Sequence, residues 1–114
     1  MAVTGVHTIL YTSEAEAVRD ILKDVFGWPH VDAHDGWLIF ALPPAEIAVH
    51  PSDAPHHEIT FMCDDIHATV AELKEKGIEF EGEPTMQGFG AIVHMVLPGG
   101  LKVMLYQPRH VTAI

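Results

Sequence analysis

One order of apolar patterns is stated twice along this chain, and that repetition constrains the fold more than any other feature of it. The first statement opens on a β-like run, Val6 to Tyr11, and then changes period. Ser13 with Glu16 three residues on has the form of a capping box, and Ala17, Val18, Ile21, Leu22, Val25 and Phe26 recur at helical spacing until Gly27 stops the helix. Strand-like segments follow at "HVDAH", "WLIFAL" and "EIAVH", divided by Asp35-Gly36, a pair that favours a tight hairpin turn, and by Pro43-Pro44. The second statement begins with the strand-like "HEITFMC". Asp64 or Asp65 caps a helix that carries Ile66, Val70 and Leu73 on one face, and Gly77 ends it after Lys74 and Lys76. "IEFEGE", "GAIVHMVL" and "LKVMLYQ" come next as strands, the last two joined by "PGG". Each half reads β, α, β, β, β.

Set in register, His7 falls on Glu58, Ser13-Glu14 on Asp64-Asp65, and "EIAVH" on "KVMLY". Only "PSDAP" separates the halves, so residues 1–114 form a single domain of two modules, 5–51 and 56–108. A chain of 114 residues is long enough for one core, and 48% hydrophobic with 19% charged residues is a globular composition. Six Lys and Arg against 16 Asp and Glu give a net charge of −10, which argues against nucleic acid and anionic membranes as partners. No apolar run is long enough to span a bilayer, and "MAVTGVHTILYTSEAE" lacks the basic region of a signal peptide. The lone Cys63 has no internal disulfide partner. A cytoplasmic protein is the expectation. A ferredoxin-like βαββαβ sandwich shares the early pattern but has four strands where this chain reads as eight.

The stretch "ITFMCDDIHATVAELKEKGIEF", followed by "GFG" and "LPGGLKVMLYQP", resembles the second module of the vicinal oxygen chelate superfamily, which holds glyoxalase I, extradiol dioxygenases, and fosfomycin- and bleomycin-resistance proteins. The likeness runs from Val6 to about His110. It implies an α+β fold in which two βαβββ modules build a cup-shaped mixed sheet with helices outside. It also implies a small molecule bound inside the cup, and a homodimer.

Alternation along a strand separates the cup face from the core face. His56, Glu58, Thr60 and Met62 share one face, and His57, Ile59, Phe61 and Cys63 share the other. Lys102, Met104 and Tyr106 go to the cup while Val103 and Leu105 go to the core. Ile47 and Val49 likewise point to the core and leave Glu46, Ala48 and His50 for the cup. Alternation does not fix the facing of His94. Tyr11, Met62, Met104 and Tyr106 would line the cup with apolar surface and hydroxyls, which suits an aromatic or amphipathic ligand, although the methionines serve equally as core. "MQGFG" reads as a flexible rim loop in which Phe89 closes over a ligand, or as an ordinary connection with an apolar anchor.

Metal-using members of the family take one ligand from each of the first, fourth, fifth and eighth strands. The resemblance places His7, Ala48, Glu58 and Met104 there. His7 and Glu58 suit a divalent ion, a methyl group cannot coordinate, and a thioether is a poor donor for hard or borderline ions. His50 stands two residues beyond one of the unsuitable positions and would need rearrangement to ligate.

Three functions follow. The first is a binding protein of the bleomycin-resistance kind, without a complete metal site and hence without a cofactor. The second is a metal-dependent lyase, isomerase or dioxygenase using His7 and Glu58. The third is a metal-free enzyme in which Glu58, with its pKa raised in an apolar cup, acts as base. Phosphate loops, GxSxG elbows and CxxC pairs do not occur.

Overall fold

The computed structural model describes residues 6–114. Two helices and six strands follow one another as α1 (Ala15–Asp24), β1 (His30–Asp32), β2 (Leu38–Phe40), β3 (Thr60–Met62), α2 (Ile66–Glu75), β4 (Glu79–Gln87), β5 (Gly90–Leu97) and β6 (Leu101–Pro108). The fold class is α+β, as the repeat predicts. β3, β6, β5 and β4 form one mixed sheet in that order, with β3 parallel to β6 and the other pairs antiparallel, while β1 and β2 form a separate hairpin. No helix among the described residues is long and apolar enough to cross a membrane.

The second half forms as its pattern requires. β5 alternates strictly, with Ala91, Val93, Met95 and Leu97 buried and Ile92, His94 and Val96 half-buried on the opposite face. The buried side packs with Val103 and Leu105 of β6 against Ile66, Val70 and Leu73 of α2 and Val18 of α1. Met95 is fully enclosed. Each large apolar side chain buried there contributes roughly 1.5–3 kcal/mol. α2 is capped by Asp65, whose carboxylate accepts from Ala68 N at 3.1 Å, and is closed by Gly77 at φ 90°. α1 joins the same core through Ile21, Leu22, Val25 and Phe26, and Phe26, Trp28 and Phe61 pack their rings 5.1–5.5 Å apart.

The first half departs from expectation at its helix cap and at two of its expected strands. Its helix does not use the Ser13/Glu16 capping box: Thr12 Oγ1 accepts from Glu14 N at 3.2 Å and donates to Pro98 O at 2.8 Å. A hydroxyl one residue earlier thus serves both the helix start and the tether to the β5–β6 turn. Asp35 (φ 46°) and Gly36 (φ 87°) do make the expected tight turn, with Trp37 N donating to His34 O. The expected strands at 6–11 and 46–50, however, have no strand partner among the described residues, so six strands stand where eight were read. Gly5, the expected first residue of the first module, lies outside the described residues. A strand gains little without a neighbour to pair with, however apolar its sequence. Ile47 and Val49, expected in the core, are accordingly 93% and 92% exposed. In the second half, "MQGFG" forms the tight connection between β4 and β5, where Phe89 O accepts from both Tyr106 OH and Arg109 N at 2.9 Å.

Candidate functional site

The face of the four-stranded sheet turned away from the helices carries the site. Cross-strand register sets its rows: Thr60, Met104, His94 and Glu81 form one rung, and Met62, Tyr106, Ile92 and Thr85 form the next. A cavity of about 340 Å³ opens over the first rung. Ile9, Leu10 and Tyr11 of the segment before α1 wall one side, Glu58 and Ile59 lead into β3, and His94 with Leu101–Met104 complete it. The tether from Thr12 to Pro98 holds the segment before α1 beside the start of β6, which makes that wall possible.

Of the residues singled out in the sequence, the cavity gathers Tyr11, Glu58 and Met104. Met62 and Tyr106 lie one rung along on the same strands. Tyr106 packs against Phe89 at 5.9 Å and His110 at 5.8 Å, so this trio forms a separate aromatic end. Desolvation pushes the Tyr106 phenol up from its usual range, and the Glu46 carboxylate adds to the rise. His7 and His50 stand exposed and outside the cavity wall. His94 and Lys102 line the cavity and were not singled out as ligand-binding residues. The burial alternation of β5 fixes the face of His94, but only once Val93 and Met95 are known to be core.

The charges are partly settled among themselves. Lys102 Nζ is ion-paired with Glu81, and that hydrogen bond, with the Lys102 charge and a smaller contribution from His94, holds the Glu81 carboxyl below its usual range. Glu58 and His94 make no hydrogen bond or ion pair among the described residues. The arrangement offers apolar walls with one carboxylate, one imidazole and the Tyr11 hydroxyl facing a ligand.

A divalent ion does not fit this donor set. Among the described residues no three His, Cys, Asp or Glu side chains gather closely enough to hold a metal. Glu58 reaches the cavity while His7 does not, and the neighbouring position on β6 supplies the Met104 thioether. Cys63 belongs to the helix side, half-buried against the core, where burial pushes its thiol up.

Known structures share this architecture across nearly the whole chain. An antibiotic binding protein from Streptomyces sp. CB03234 superposes with a TM-score of 0.68 at 24% identity, covering 95% of this chain and 98% of its own. A glyoxalase/bleomycin resistance protein/dioxygenase superfamily member from Sphaerobacter thermophilus DSM 20745 gives 0.64 at 20% identity, over 94% and 99% of the two chains. Lactoylglutathione lyase from Agrobacterium tumefaciens gives 0.61 at 18% identity, over 94% and 96%. At these identities the likeness establishes the fold. No curated protein matches the sequence. The Glyoxalase/Bleomycin resistance protein/Dioxygenase superfamily model, by contrast, matches residues 5–105, and this chain belongs to that superfamily.

Proposed function

We propose that this protein binds a small aromatic or amphipathic molecule on the cup face of the sheet, without a complete metal site. The observation that carries the reading is the open cavity of about 340 Å³ beside Met104, where apolar side chains alternate with Tyr11, Glu58, His94 and Lys102. The antibiotic binding protein of the same fold is in keeping with it. Catalysis through a divalent ion is the weaker reading, because Ala48 and Met104 stand at two of the four positions that metal-using relatives employ.

Met104 is half-buried and central, so an indole placed there fills the space a ligand needs. Titrating the protein with 1-naphthol, followed by the naphthol fluorescence, should show saturable binding of one molecule per chain. Met104→Trp should weaken it at least about tenfold while the thermal midpoint stays within a few degrees. Equal binding by both proteins, or none by the parent, would contradict the proposal.

The functional unit in this reading is a homodimer. Ile47 and Val49 stand almost fully exposed on an extended segment that finds no strand partner among the described residues, and a second copy would cover them. Equilibrium sedimentation should give twice the 12.5 kDa chain mass, and the Ile47→Lys/Val49→Lys double variant should sediment nearer the single-chain mass. A parent protein that sediments as one chain at micromolar concentration would exclude the dimer.

A further inference from the structure

We propose that His94 is the polar anchor of the cup, and that its imidazole accepts a hydrogen bond from an uncharged donor on the ligand, a phenol-type hydroxyl being the simplest such group. The inference rests on the cavity reading above and adds the chemistry the ligand must present.

The geometry around His94 is specific. It is the single histidine in the four strands of the large sheet. The alternation of β5 turns it to the open face between two fixed neighbours, Glu81 on β4 and Met104 on β6. It is half-buried, lines the cavity, and has no hydrogen-bond partner among the described residues. A partly desolvated imidazole without a partner gains from a ligand that supplies one, and its neutral form has one nitrogen able to accept.

The neighbouring charges decide what kind of partner is favoured. Three charged side chains share the cavity or the rung with His94: Lys102 and Glu58 in the cavity wall and Glu81 opposite His94 on β4. The Lys102 ammonium is committed to Glu81. With those two offsetting each other, Glu58 leaves the cavity with a net negative field, in which an anionic ligand gains nothing from the lysine. Apart from the Tyr11 hydroxyl, the remaining walls, Ile9, Leu10, Ile59, Leu101, Val103 and Met104, are apolar and penalise further unpaired polar groups. An apolar ring system with one donating hydroxyl satisfies all of these surfaces together.

Three probes of similar size separate the possibilities: 1-naphthol donates and accepts, 1-methoxynaphthalene accepts only, and 1-naphthoate is an anion. The parent protein should bind 1-naphthol roughly three- to tenfold tighter than 1-methoxynaphthalene, the span one net hydrogen bond supplies. 1-Naphthoate should bind weakest. His94→Leu should lower the affinity for 1-naphthol to about that for 1-methoxynaphthalene, bringing the ratio close to one, while 1-methoxynaphthalene itself still binds. His94→Gln, which retains an acceptor, should restore part of the ratio. A ratio near one in the parent, a ratio unchanged in His94→Leu, or a preference for 1-naphthoate would overturn the anchor while leaving the cavity reading standing. Failure of both neutral probes to bind the parent would overturn the cavity reading and the anchor together.

Discussion

Glu58 and His7 align in the sequence, and both are exposed, yet only Glu58 borders the cavity while His7 stands outside it. Equivalence of position in a sequence pattern does not make two side chains converge, because convergence depends on how each strand is paired. Of the four positions used by metal-binding relatives, the cavity holds only the Glu58 carboxylate and the Met104 thioether, and with His94 they do not make up three His, Cys, Asp or Glu donors gathered closely enough for a divalent ion among the described residues. Protein purified without a histidine tag and titrated with Mn, Fe, Ni and Zn ions should therefore retain none of them at one ion per chain. Stoichiometric metal that disappears in His7→Ala would contradict this and favour the metal-dependent reading. The residues that could be assigned from sequence are those whose strand is flanked by unmistakable core. Val103 and Leu105 fix Met104, and Phe61 fixes Met62. His94 stayed open because "GAIVHMVL" is apolar at almost every position, so alternation does not distinguish its faces until Met95 is found fully enclosed.

Among the elements, α2 is the best specified. Its cap, its apolar stripe and its glycine stop lie in sequence where they lie in space, since all three depend on neighbours within a few residues. Asp65→Ala removes the bond to Ala68 N and should cost about 1 kcal/mol by urea denaturation, within the usual range of about 0.5–2 for such caps. An unchanged denaturation midpoint would show that the side chain is not the cap. α1 is less legible, because the group that serves its start, Thr12, also reaches the Pro98 carbonyl eighty-six positions away, a contact no local pattern encodes. The same limit explains the segments at 6–11 and 46–50. They have the composition of strands, but a strand is made by its partner. By contrast, β5 and β6 are adjacent in sequence and pair along their full length, from Leu97 with Leu101 to Gly90 with Pro108.

At the scale of the whole molecule, both helices pack on one side of the four-stranded sheet, and the other side carries the cavity. The sheet therefore divides two tasks, with Val103 reaching both: Val93, Met95 and Leu105 hold the fold, while His94, Lys102 and Met104, from the same two strands, face the ligand space, and the buried Val103 belongs to the core and also borders the cavity. Substitutions on the open face are accordingly expected to change binding more than stability. The measurement that bears most directly on this division is the map of amide chemical-shift changes when 1-naphthol is added to ¹⁵N-labelled protein. Binding on the cup face predicts the largest changes at Tyr11, Glu58, His94, Lys102 and Met104, with the α2 residues little affected. Changes centred instead on the β1–β2 hairpin or on α2, with the Met104 and His94 amides unmoved, would contradict the account.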